Sequence, residues 1–216
     1  GNHSSVFPFE VTKATSDARF LCKTVVLGGG FGAAAQTMQT SARNIAFSLN
    51  LGPEIMQLIE TADWQGLNTA YRNQNFKIRG TWNRLTSMLR QLMQMEQGDG
   101  ELTWGPLIRM SVDWLGPGLT LPNGLRIYYH NLRVDPETDD ILYDKVRGRR
   151  LVPNRIYGAK VLENFDQAVS GLTIREQWLE ITRRAKREFN YKHSPVVLQV
   201  HDALTAVVKD AMSDDF

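Results

Sequence analysis

Apolar positions in the first half of the chain recur at helical spacing. Ser16 is a plausible N-cap, and a mixed apolar run follows it to about Met38. Ser41 to about Leu49 reads as helix. From Pro53, "EIMQLIETADWQGLNTAYR" carries apolar residues three and four apart and predicts one helix. After Gly80, "TWNRLTSMLRQLMQME" puts Trp82, Leu85, Met88, Leu89 and Leu92 on one face, and "QGDGEL" breaks the pattern.

From Gly105 the character changes. Pro106, Gly116, Pro117, Gly118, Pro122, Gly124 and Pro153 punctuate short β-rich runs. "LRIYYHNLRV" predicts a strand, "DPETDD" a turn, "ILYDKV" a second strand and "RRLVPNRIYG" a third. The acidic turn has Asp140 where a calcium loop needs glycine, so a plain hairpin turn is expected. Residues 159–189 form one long helical pattern interrupted only by Gly171. "SPVVLQVHDALTAVV" reads as strand, tight turn at His201-Asp202, and strand. The order predicts an α+β fold: helices first, then a small antiparallel sheet and a long helix.

Composition narrows the classes. The chain has 216 residues, 42% hydrophobic, with a net charge of +2. That is enough for one sizeable domain or two small ones, and the charge is too small to name a partner. Cys22 is the only cysteine, so an intrachain disulfide is excluded and a reducing compartment is expected. His3, His130, His193 and His201 lack zinc-site spacing. No stretch approaches a membrane span, and residues 1–15 lack a signal-peptide core, so a cytoplasmic location is expected. Gly1 is not an initiator, which suggests a processed, tagged or excised chain.

"TVVLGGGFGAAAQTM" fits G-x-G-x-x-A at Gly28, Gly30 and Ala33, the form of a dinucleotide-binding turn. Such a turn needs a second strand after the helix and an acidic residue about 20 positions on. Here the chain stays helical to Asn50, and the first acidic residue is Glu54 at a helix start. A dinucleotide oxidoreductase is therefore disfavoured. Read as a helix, the same segment spaces Arg19, Lys23, Leu27 and Phe31 by four. Two cations, an apolar residue and a ring on one stripe suit a nucleoside triphosphate, or else a solvated amphipathic face. Lys160, Asn164 and Gln167 make a second polar stripe at the start of the long helix, which taken alone reads as a solvated face. Asp202, on a hairpin turn, is placed to bind Mg2+, or else is an ordinary surface-turn aspartate.

Together and in this order, these segments resemble the polymerase half of family A (DNA polymerase I-like) DNA polymerases, most closely bacteriophage or prophage members. "RFLCKTVVLGGGFG" is similar to motif B at Arg19, Lys23, Leu27, Phe31 and Gly32. "LQVHDA" is similar to motif C at His201, Asp202 and Ala203, and "YGAKVLENFDQA" to the phage form of the helix between them. "LPNGLRIYYHNLRV" and "AYRNQNFKIRGTW" also look like phage polymerase segments. The resemblance covers about residues 8–213.

The resemblance implies a fingers subdomain over 1–104 and a partial palm over 105–216. It implies that Arg19 and Lys23 bind the triphosphate of a dNTP, with Lys23 also protonating the leaving pyrophosphate. Leu27 stands where the family has Phe or Tyr, and Phe31 where it has Tyr; both bear on sugar selectivity. Asp202 would bind the catalytic Mg2+ ions. His201 and Gln199 would support the primer terminus and minor groove, and Lys160, Asn164 and Gln167 would touch primer–template DNA. Ala203 replaces the motif C glutamate, so retuned metal binding is expected. The implied reaction is two-metal phosphoryl transfer.

That chemistry needs a second carboxylate, from motif A, and nothing in residues 1–18 resembles it. Exonuclease and thumb segments are also missing. A second polypeptide or segment supplying motif A is therefore expected, in a bacterial host cytoplasm if phage-encoded. The alternative is a non-catalytic DNA-binding or scaffold fragment of a replication complex. Arg147, Arg149, Arg150 and Arg155 near the strands, and Arg183, Arg184, Lys186 and Arg187 ending the long helix, fit a DNA-facing role.

Overall fold

A computed structural model describes residues 16–200 and 203–208 of the chain. Its fold is α+β. Five helices come first: α1 (Ser16–Gly30), α2 (Ala35–Ser48), α3 (Pro53–Thr61), α4 (Trp64–Gln74) and α5 (Phe76–Leu92). Strands β1 (Leu102–Trp104), β2 (Ile108–Asp113), β3 (Gly116–Thr120) and β4 (Arg126–Tyr128) form one antiparallel sheet in that order. Strands β5 (Arg133–Val134), β6 (Ile141–Arg147) and β7 (Arg150–Arg155) form a second. Helix α6 (Gly158–Phe189) follows, then the hairpin β8 (Val196–Val200) and β9 (Ala203–Ala206).

The long helix is found as expected, but other elements are divided where sequence predicted continuity. The helix expected from Pro53 stops at Ala62, whose backbone is extended, and restarts at Asp63, whose carboxylate accepts from the Gly66 N–H at 2.8 Å. Gly80 lies inside α5 rather than before it. The strand expected over 125–134 breaks after Tyr128, where Asn131 turns the chain with a φ of 52°. The single small sheet becomes three. The acidic turn 135–140 is a plain turn: Asp139 pairs with Arg90 and Asp140 with Arg155, each at 2.8 Å.

Two apolar cores form. Leu21, Val25, Met38, Ala42, Ile59 and Leu67 make one, among α1–α4. Leu85, Met88, Leu89 and Leu92 of α5 join Met110, Leu119, Tyr129, Ile141, Val161 and Phe165 in the other. The amphipathic face predicted for α5 is thus buried, against the first sheet and α6. The division between these cores falls between α4 and α5.

The halves meet at the start of α6, where a Cβ on Gly32 would lie 2.7 Å from Ala159 Cβ. Gly158 sits so close to α5 that an added Cβ would collide with the Trp82 carbonyl oxygen. Its N–H, one of the unpaired donors of a helix start, donates to Thr86 Oγ1 at 2.9 Å. Helix α6 ends at Asn190, left-handed at φ 55°.

Candidate nucleotide and nucleic-acid site

The glycine-rich segment is helical, and no strand leads into it: Gly28, Gly29 and Gly30 are the last turn of α1. This removes the strand–loop–helix form that a dinucleotide turn requires. The glycines serve packing. A Cβ on Gly29 would lie 2.6 Å from the Tyr71 ring, and one on Gly28 would lie 3.1 Å from Met38 Cγ. Gly32 has a φ of +75° and closes the helix: Ala33 N donates to Gly28 O and Gly32 N to Gly29 O, each at 3.0 Å. That pair of bonds is the Schellman arrangement, which calls for glycine at this position.

Leu21, Thr24 and Val25 are buried on one side of α1, while Arg19, Lys23 and Leu27 are exposed on the other. Phe31 follows in the terminal turn, half-buried. Leu27 and Phe31 line a cleft of about 610 Å³ with Gly32, Arg155, Tyr157 and Glu163. Lys23 and Leu27 also edge an apolar recess of about 380 Å³ against α2, with Phe20, Met38 and Ile45. Arg19 lies one turn further from the cleft. Cys22, on the same helix, has its thiol pushed up by burial.

The α6 stripe meets this cleft through Glu163. Lys160 Nζ is 2.7 Å from Glu163 Oε2, and Gln167 Nε2 donates to Glu163 Oε1 at 3.2 Å. Asn164 Nδ2 donates to the Tyr129 hydroxyl at 3.4 Å. Two of the three expected DNA contacts are therefore held by one carboxylate, and the third by a buried hydroxyl. Glu163 and Tyr157 are residues of this cleft that the sequence reading did not single out, although both stand inside the quoted motif; Arg155, read there as DNA-facing, joins them. Arg155 lies over the Tyr157 ring at 5.7 Å.

The hairpin carrying the third constellation is anchored elsewhere on α6. Ser194 Oγ accepts from Trp178 Nε1 at 3.1 Å and bonds Thr182 Oγ1 at 2.8 Å. Trp178 is about 22 Å along the helix from Glu163. Gln199 is on β8, paired with Leu204; Val200 is paired with Ala203. His201 and Asp202 lie outside the described residues. Among the described residues, no group of three or more His, Cys, Asp or Glu side chains could hold a metal ion. A two-metal site is thus not assembled from the described residues alone.

The β6–β7 hairpin has a distinct electrostatic character. In the strand region, Arg109, Arg126, Arg133 and Arg155 each have a carboxylate within 4.0 Å. Arg147, Arg149 and Arg150 at the hairpin tip are exposed and have no ion pair among the described residues. Arg147 and Arg150 are direct cross-strand partners, a like-charge placement that an anion would relieve. At the foot of this hairpin, Tyr128 and His130 stack at 5.6 Å beside a groove of about 520 Å³ that also takes in Lys145, Asn164 and Gln167.

Compared with known protein families, curated proteins and solved structures, the chain matches none. Among the described residues, no helix is long and apolar enough to cross a membrane.

Proposed function

We propose that the chain is the fingers and part of the palm of a template-directed DNA polymerase, working with a segment or second polypeptide that supplies motif A. The observation that carries this reading is the face of α1. Arg19, Lys23 and Leu27 are exposed on one line of a helix whose other side is packed, and the line ends at Phe31 in the cleft shared with α6. A dNTP laid along that line would meet cations at its phosphates and an apolar residue and ring at its sugar and base. The start of α6 would then lie beside the primer–template, with Lys160 and Gln167 tethered to Glu163 until DNA competes for them.

Bound Mg2+ would neutralise the phosphates and polarise the attacking and leaving oxygens. This chain's own part is to orient the nucleotide, with Lys23 beside the leaving phosphates as the proton donor. Binding of a labelled dNTP with Mg2+ and primer–template tests the reading, followed by fluorescence. Arg19→Ala and Lys23→Ala are each expected to weaken it about tenfold or more. Affinity unchanged in both variants contradicts the assignment of α1.

A non-catalytic DNA-binding role has its own support in the unpaired arginines of the β6–β7 tip. They suit phosphate contacts and require no metal.

A further inference from the structure

The junction of α4, α5 and the start of α6 encloses a recess of about 230 Å³ behind Gly32 and Tyr157. Its polar lining is rich in donors. Arg72, Arg79, Trp82 and Asn83 all contribute, and no carboxylate does. Neither Arg72 nor Arg79 has an ion pair among the described residues. Arg72 Nη2 reaches only the Ala33 carbonyl, at 3.4 Å, and its Nε is buried without a partner. Trp82 is 9% exposed and its indole N–H is likewise buried and unpaired. Buried donors in folded proteins are almost always satisfied, so two orphans at one recess call for an acceptor. The Thr86 hydroxyl, which donates to Trp82 O and accepts from the Gly158 N–H, makes no bond to either orphan.

We propose that this recess is a phosphate-binding site. Two guanidiniums and an indole N–H offer charge and directed donors, which a tetrahedral oxyanion with several acceptor oxygens satisfies together. Arg79, exposed at the mouth, captures the anion; Arg72 and Trp82 seat it. The recess shares Gly32 and Tyr157 with the cleft at Leu27 and Phe31, on the other side of that wall. A nucleic-acid strand crossing the wall, or a free polyphosphate, would both present the required group. The site does not depend on the polymerase reading, since neither Arg19 nor Lys23 lines it.

The test is titration of the purified chain followed by the Trp82 indole N–H resonance, assigned by its loss in Trp82→Phe. Pyrophosphate and a single-stranded oligonucleotide form the two arms, with acetate at equal ionic strength as control. A saturable shift in either phosphate arm is expected, and the responding arm identifies the source. Arg79→Gln should weaken it about tenfold or more, Arg79→Lys less, and Arg19→Ala not at all. Arg79 is exposed, so its replacement leaves folding intact; Arg72→Gln is the second variant. A resonance that no phosphate moves, an equal shift with acetate, or a titration unchanged in both Gln variants overturns the proposal.

Discussion

At the scale of single residues, Tyr129 joins the core to the candidate site. It is fully buried, packs edge-on to Tyr143 at 5.4 Å, and accepts from Asn164. Burial pushes its hydroxyl up to about 12. The folded state therefore favours the neutral phenol more than the unfolded chain does, where the value is near 10. The associated stability is complete below about pH 10 and is lost as pH rises toward about 12. Alkaline titration, read by tyrosinate absorbance and circular dichroism, should show one tyrosine ionising together with unfolding. Tyr129→Phe should remove that step and move unfolding to higher pH. It should cost about 1 kcal/mol or less at neutral pH, because the bond from Asn164 is long. An unchanged alkaline profile would exclude Tyr129 as the responsible group.

At the scale of elements, glycine marks where helices touch. Gly158 has no room for a methyl group against Trp82, whereas Gly171, on the same helix, has nothing within 4 Å. Denaturant midpoints should separate them. Gly158→Ala is expected to destabilise by about 3 kcal/mol through forced separation of α5 and α6. Gly171→Ala should stabilise by about 1 kcal/mol, the helix-propensity difference. Equal effects would mean that α5 and α6 are not in close contact at Gly158.

Elements also show what sequence could and could not convey. The apolar faces of α5 and the run of α6 were legible because a 3.6-residue period over many turns leaves few alternatives. The exposed line of Arg19, Lys23 and Leu27 was legible for the same reason. The break at Ala62-Asp63 was not, because the apolar period continues across it and only the Asp63 cap marks the restart. The separation of the first sheet from the second coincides with Asn131 turning left-handed, which spacing does not encode. Glu163 was overlooked as a site residue because its role comes from partners on both sides, Lys160 and Gln167, and from the facing end of α1. Arg72, Arg79 and Trp82 converge only through the packing of three helices, a relation that no local motif carries.

At the scale of the whole molecule, two cores meet along one seam, and the candidate chemistry lies on it. The exposed line of α1 ends where α6 begins, and the recess and cleft lie on either side of Gly32 and Tyr157. Unpaired arginines crown the β6–β7 hairpin, next to the groove at Tyr128 and His130. This distribution suits a strand of nucleic acid followed across the seam, with a nucleotide held on α1. Along that path the described residues offer cations and rings but no cluster of carboxylates.

The central claim is therefore tested most directly by primer extension. A labelled primer on its template, with dNTPs and Mg2+, is incubated with the chain alone and with a polypeptide supplying the missing aspartate strand. The account predicts extension only in the combination, abolished by Asp202→Asn without a change in the chain's thermal midpoint. Extension that persists at the wild-type rate in Asp202→Asn, or no extension in any combination that binds primer–template, would contradict it.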